Sequence, residues 1–192
     1  MGYRNQVIAS GIRPLYPEAR LMGYAHPILG VPSTQRPTPP YEVEFDALDS
    51  LGPNDIVVYA AQGGIGATWG ELFSARARLR GAVGCLTDGM VRDSQRIIEM
   101  KFPTFSAGFC PADTYGRVQA IAHGIPVICA GVEVKPGDLV FGDYDGAVII
   151  PSEVITEIVR FAHEKASTED KVRAALMRGE SAKAVYAKYG VM

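Results

Sequence analysis

The sequence predicts a mixed α/β domain. Short runs rich in Val, Ile and Leu are separated early in the chain by stretches of helical periodicity. Further strand runs cluster later, ahead of a long amphipathic C-terminal segment. Turn signals punctuate them, among them Gly52-Pro53-Asn54 and the Asp145-Gly146 pair.

Taken in order, residues 1 to about 45 read as irregular and proline-rich, with one strand at about 21–27. PSTQRPTPP cannot form a regular helix or a central strand because its prolines recur too closely, so 31–40 is expected to be a surface loop. FDALDSLG (45–52) suits a short helix. DIVVYAA (55–61) is short, rich in β-branched residues and preceded by a turn, the pattern of a buried strand. QGGIGATWG (62–70) is a glycine-rich loop. ELFSARARLRG (71–81) has helical spacing, with Leu72, Ala75 and Leu79 on one face and Gly81 where a glycine commonly ends a helix. AVGCLTD (82–88) is the next strand, SQRIIEM (94–100) a short helix and FPTFSAG (102–108) another strand. IPVICAGVEV (125–134) reads as one strand run. LVFGD and GAVII (139–143 and 146–150) form a pair joined by a tight turn at Asp145-Gly146. A long helix is expected over 152–179, N-capped by Ser152, with Val154, Ile155, Ile158, Val159 and Ala162 as its apolar stripe. A helical tail, 181–190, follows.

The 192 residues are 47% hydrophobic, enough for one sizeable core, and a single domain over 1–192 is the expectation. The formal charge of −2 offers no basic excess for nucleic acid and no cationic stripe for a membrane surface. No apolar stretch approaches the roughly 20 residues of a membrane span. MGYRNQVIAS lacks the apolar run of a secretory leader, and Gln6 departs from the myristoylation pattern. Cys85, Cys110 and Cys129 each sit beside apolar or small residues, which suits free thiols in a cytoplasmic protein. His26, His123 and His163 are scattered, and no His or Cys pair has zinc-ligand spacing.

Two features carry chemistry. The first is the turn GGIGATWGELF. Its Gly63, Gly64 and Gly66 are spaced GGxG, unlike the GxGxxG of dinucleotide-binding folds. The stronger reading uses the helix start: Gly70, Glu71, Leu72 and Phe73 present first-turn amides that lack intrahelical acceptors and suit a carboxylate or phosphate. The second is Asp88…Arg92-Asp93, just past a strand's C-terminal end, where α/β proteins tend to bind ligands. An arginine grips a carboxylate or enolate through two N–H groups, and an adjacent aspartate suits a hard divalent cation. Together they describe a site for a 2-oxo acid whose enolate is stabilised by charge.

GGIGATWGELFSARARLRGAVGCLTDGMVRD (63–93) resembles the signature of the RraA-like family. That family includes 4-hydroxy-4-methyl-2-oxoglutarate aldolases and oxaloacetate decarboxylases. GIRPLYPEARLMGYA precedes the motif, and FPTFSAG and IPVICAGVEVKPGDLVFGDYDGAVIIP follow it in the family's order, so the resemblance covers most of residues 11–151. It implies the compact swivelling β/β/α domain of that family, a mixed sheet with flanking helices, with a catalytic core at about 11–151 and a C-terminal helical segment at 152–192. It implies a homotrimer or a pair of trimers with sites between subunits. Arg92 would bind the substrate and stabilise a pyruvate enolate. Asp93 would hold Mg2+ or Mn2+, largely through water. Glu71 falls where the family carries an acid near that water shell, and the backbone of Gly70 to Phe73 would cradle the pyruvyl carboxylate. Asp88 would shape the loop.

The implied activity is metal-dependent cleavage of a C–C bond in a small 2-oxo acid. The alternative is a regulator that docks on a ribonuclease. Regulators in the family often lack the full Arg-Asp pair, which this chain keeps. A methyltransferase finds little support, because no S-adenosylmethionine-type glycine loop with a following ribose-binding acid is evident. The chain departs from the family in its short stretch before RPLYP and in the proline-rich 31–40 loop, both of which bear on the pocket wall. In some relatives a C-terminal acid reaches a neighbouring subunit's site; Glu164, Glu169 and Asp170 are candidates by position, the alternative being a solvated helix face.

Overall fold

The computed structural model describes residues 2–192. They fall into two compact units, one ending at Ser152 and one spanning Glu153–Met192. The first contains β1 (Arg13–Pro14), β2 (Leu21–Pro32), α1 (Glu42–Ser50), β3 (Asp55–Ala60), β4 (Ala67–Trp69), α2 (Glu71–Leu79), β5 (Gly84–Thr87), β6 (Met90–Val91), α3 (Ser94–Glu99) and β7 (Thr104–Ser106). It continues through β8 (Val118–His123), β9 (Val127–Cys129), β10 (Val132–Val134), β11 (Leu139–Asp143) and β12 (Gly146–Ile150). The second unit holds α4 (Ile155–Met177) and α5 (Ala182–Tyr189).

The main sheet is mixed, in the order β1-β7-β5-β3-β2-β11-β12, with β8 also paired to β2. Its centre is parallel: β2 with β3, β3 with β5, and β5 with β7. Parallel strands are stable when both faces are covered, and β3 is buried along nearly its whole length. Its residues alternate between two cores. Ile56, Val58 and Ala60 pack with Val127, Cys129, Val132 and Val134 of the β9–β10 hairpin. Val57 and Tyr59 pack with Leu48 of α1, Ala77 of α2 and Ile97 of α3. The result is three layers, hairpin, sheet and helices, the β/β/α arrangement expected.

Several local expectations are corrected. β2 does not stop at Pro27 but runs to Pro32. On one edge its partner changes from β11, whose pairing along β2 reaches Tyr24, to β8, whose pairing along β2 starts at Ile28. Pro27 lies in that gap. Its carbonyl accepts from the Gly124 amide on this edge, so its missing N–H faces the same gap and costs the ladder no bond. The 62–70 loop contains β4, and 125–134 is two strands folded at Ala130-Gly131, both at positive φ. The β11–β12 turn is Tyr144-Asp145, since Asp143 pairs with Gly146. β8 carried no strand expectation at all.

Helix α2 inverts its expected polarity. Ser74 and Ala77 are its buried residues, whereas Leu72 and Leu79 are 75% and 78% exposed. Small residues let the helix sit close on the sheet. It ends as foreseen, at Gly81 with φ 96, where a Cβ would meet the Pro53 backbone. α4 begins at Ile155 after a 3₁₀ turn at Ser152–Val154; the Ser152 amide donates to Asp138 Oδ1, and Ser152 is not its N-cap. The stripe from Val154 to Ala162 is not buried. The second unit instead has a small core of Val172, Ala175 and Val185. Among the described residues, no helix is long and apolar enough to cross a membrane.

Candidate active site

The loops after β3, β5 and β7 leave the C-terminal ends of adjacent parallel strands and are stitched together. β4 pairs parallel with β6, Ala67 opposite Met90 and Trp69 opposite Val91. Bridges from Ala67 to Asp113 and from Val91 to Phe109 extend this miniature sheet to the loop after β7. The Arg92 amide donates to the Trp69 carbonyl at 3.0 Å, and the Ala67 amide to the Ala112 carbonyl at 2.8 Å. Three sequence-distant segments therefore arrive at one place: Gly70 at the start of α2, Arg92-Asp93 at the start of α3, and Asp113.

Their side chains face a cavity of about 400 Å³. Arg92 Nη1 lies 3.0 Å from Asp113 Oδ2, and Arg92 Nε lies 3.8 Å from Asp93 Oδ2. Both carboxylates and the guanidinium keep roughly a third or more of their side-chain surface exposed, so these pairs are screened and exchangeable. Asp93 adopts the left-handed region at φ 54, a backbone setting that Asp tolerates better than most residues. It turns Oδ2 toward α2, where the Glu71 amide donates to it at 3.4 Å. Gly70 allows this approach: a Cβ there would stand 3.0 Å from Asp93 Oδ2 and 3.3 Å from Arg92 Cγ. The first intrahelical bond of α2 is Ser74 N–H to Gly70 carbonyl, which leaves the Leu72 and Phe73 amides without intrahelical acceptors.

Asp113 is the residue that sequence reasoning missed. Its Oδ1 accepts from the Tyr41 hydroxyl at 2.6 Å and from the Tyr115 amide at 2.8 Å. Burial pushes its carboxyl up, but these hydrogen bonds and the Arg92 charge outweigh burial and hold it below its ordinary value. Burial and the bond to Asp113 push the Tyr41 phenol up to about 12, so it stays a neutral donor. Nothing local marks Asp113 in FCPADTYG; only its position after a strand end would have raised it.

The other expected residues divide. Glu71 contributes its amide, but its side chain does not line the cavity. Asp88 faces away: Oδ1 accepts from the Ala61 amide and Oδ2 from the Ala130 amide at 3.1 Å, bracing β3 against the β9–β10 turn. Asp170 and Glu169 pair with Arg173 and Lys165 on the exposed surface of α4. Cys85 and Cys129 are buried thiols with pKa values raised by burial, and Cys110 is half-buried.

No cluster of three His, Cys, Asp or Glu side chains able to hold a metal exists among the described residues. Of the carboxylates at the cavity, Asp49 and Asp113 pair closely with Arg76 and Arg92, while Asp93 Oδ2 has only the long Glu71 amide contact and Arg92 Nε at 3.8 Å. That fits a cation that binds one carboxylate and keeps much of its water, as Mg2+ does.

The profile of the RraA-like family, described as Aldolase/RraA, matches residues 1–149. The chain is 38% identical over 115 residues to the uncharacterized Methanocaldococcus jannaschii protein MJ0644, covering 59% of this chain and 54% of that one. It is 29% identical over 128 residues to a Halalkalibacterium halodurans protein provisionally named 4-hydroxy-4-methyl-2-oxoglutarate aldolase, covering 65% of this chain and 59% of that one. The match thus spans little more than half the length of these curated relatives. Among solved structures, Streptomyces coelicolor RraAS2, described as an unusual member of the RNase ES inhibitor RraA family, superposes with a TM-score of 0.77. It is 29% identical, with 88% of this chain and 83% of that chain covered.

Proposed function

The chain belongs to the RraA-like family, and from that premise we propose that it is a divalent-metal-dependent carbon–carbon lyase acting on pyruvyl compounds. The expected substrates are 4-hydroxy-4-methyl-2-oxoglutarate-like 4-hydroxy-2-oxo acids and oxaloacetate. One observation carries the reading: the Arg92–Asp93 pair and the free amides at the start of α2 open into one cavity.

Each residue then has a physical task. The Leu72 and Phe73 amides bind the substrate carboxylate at a helix N-terminus, where the dipole favours an anion. Arg92 exchanges its screened contact with Asp113 for the 2-oxo group. As the C–C bond breaks, its electron pair moves onto the pyruvyl unit and negative charge grows on the former oxo oxygen. Arg92 stabilises that charge from a fixed position. Asp113 holds the Nη1 edge of Arg92 in place, itself held by Tyr41 and the Tyr115 amide. Asp93, with the Glu71 amide donating to its Oδ2, would hold Mg2+ or Mn2+. The bound cation supplies polarisation of the oxo group and charge neutralisation.

The test is pyruvate release from oxaloacetate and from 4-hydroxy-4-methyl-2-oxoglutarate, with Mg2+ and with EDTA. Metal-dependent release above the spontaneous rate supports the lyase; no release from either removes these two compounds as its substrates. The RraAS2 likeness favours a second reading, a regulator that binds a ribonuclease. Retention of a ribonuclease on the immobilised protein, without lyase activity, would select it. A trimer or pair of trimers belongs to the same proposal, and light scattering in solution reads it directly.

A further inference from the structure

The cavity is mostly apolar away from Arg92. Phe45 and Leu48 of α1 face Leu72 and Phe73 of α2 across it. Phe73 is edge-on to Tyr41, Phe45 and Trp69, at ring separations of 6.4, 6.4 and 5.6 Å. Leu72 is thus kept out of the core, which takes Ser74 and Ala77, and stands on the cavity wall, while Phe73 packs against the core and lines the cavity as well. Phe45 is 49% exposed and Leu72 75% exposed, so this wall is apolar surface left to solvent. At the far end lies Arg76. It lies six positions on from Gly70, about 9 Å along the axis. Its Nε and Nη2 both donate to Asp49 Oδ1, so a second carboxylate would have to displace Asp49 from a two-pronged contact.

A substrate with a second carboxylate would have to compete with Asp49 for the Arg76 cation at that end. A substrate with a hydrocarbon arm needs what is there. We propose that the slot between α1 and α2 selects 2-oxo acids that carry an aromatic ring or similar hydrocarbon at C4, in preference to a second carboxylate. This rests on the lyase reading above. The pyruvyl head lies at Arg92 and the α2 amides, and the arm lies against the wall made by Phe45, Leu72 and Phe73. For 4-hydroxy-2-oxo-4-phenylbutanoate, the C3–C4 bond breaks and its electron pair forms the pyruvate enolate. The C4 hydroxyl loses its proton and becomes the carbonyl of benzaldehyde, and C3 takes up a proton to give pyruvate. Nothing is oxidised or reduced overall.

The experiment compares kcat/KM for pyruvate release from this phenyl substrate and from 4-hydroxy-4-methyl-2-oxoglutarate with Mg2+, in wild type and Phe45→Ser. The slot predicts at least about a tenfold preference for the phenyl substrate, the low end for removing a ring from water, and a preference at least about tenfold smaller in the variant. Equal or reversed preference overturns the inference while leaving the lyase reading standing. A parallel arm measures binding of phenylpyruvate and pyruvate by the fluorescence of Trp69, the chain's sole tryptophan, which lines the cavity. If no substrate turns over, the lyase reading fails, and this arm decides the slot alone. Tighter phenylpyruvate binding, lost in Phe45→Ser, supports it; equal binding, as when a neighbouring chain fills the slot, overturns it. A thermal melt confirms that the variant is folded.

Discussion

Arg92 shares its guanidinium between Asp113 at 3.0 Å and Asp93 at 3.8 Å, and the two contacts have different consequences. Arg92→Ala removes the charge proposed to meet the enolate, and is expected to abolish measurable pyruvate release while leaving the melting curve close to wild type, since the side chain is 43% exposed. Asp113→Asn leaves a hydrogen-bond partner for Tyr41 but removes the anion that orients Arg92. A loss in kcat/KM on the order of 10²-fold is expected, falling mainly on kcat, as for a misaligned catalytic group. A loss confined to KM would instead mean that Asp113 acts on binding alone. Glu44 poses a separate residue-scale question. It is 4% exposed, and burial raises its pKa despite the Tyr59 hydroxyl donating to it. A raised acid contributes stability that is full below its unfolded pKa of about 4.3 and is lost as pH rises through its folded value. Glu44→Gln is therefore expected to melt higher than wild type at pH 8, with the advantage fading toward pH 4. Arg92 and Asp93 were legible in the sequence because they are adjacent and follow a strand. Asp113 was not, because its partner Arg92 lies in another loop and no spacing rule links them.

The unit that brings these residues together is the β4–β6 ladder and its extension to Phe109 and Asp113. It was hidden in what reads as a glycine-rich loop, because two- and three-residue strands have no periodicity to detect. The start of α2 was legible, from the glycine followed by helical spacing. Gly70 shows why that residue is needed. Gly70→Ala is expected to fold, since Gly70 has an extended backbone at φ −155, but to push Asp93 and Arg92 apart. Activity should fall by about tenfold or more, with the required Mg2+ concentration rising, in line with small misplacements at a site. Unchanged metal dependence would separate Asp93 from the cation. On the opposite side of the site, β2 carries His26, stacked on His123 at 5.6 Å, with Ser50 Oγ 3.3 Å from its Nε2 and Asp55 Oδ2 3.9 Å from its Nδ1. Burial lowers its pKa, opposed by Asp55 and aided by His123. Between the folded value and about 6.5 the unfolded chain binds more protons, so stability is present above that range and lost as pH falls through it. A shallower acid limb of Tm against pH in His26→Gln checks this.

For the whole molecule, the donor set predicts a division between metal and fold. A structural metal site needs several protein ligands, whereas one carboxylate with water supplies little folding energy. EDTA should abolish turnover yet move Tm by no more than a few degrees, the size that a tenfold excess over a weak Kd produces in a domain this large. A collapse of the fold in EDTA would place the metal elsewhere. The sequence by itself determined the α/β class, the buried parallel strands, the glycine-led start of α2 and the Arg92–Asp93 pair. These depend on local composition and on residues adjacent in the chain. The tertiary structure alone decided which of them meet. It brought Asp113 and Tyr41 to Arg92, tied Asp88 to the Ala61 and Ala130 amides, left Glu71 out of the cavity lining, and put Leu72 on a cavity wall instead of in the core. The physical reason is that the parallel strands deliver their C-terminal loops to one edge. Pairing among those loops, which no single segment encodes, then fixes what each side chain faces.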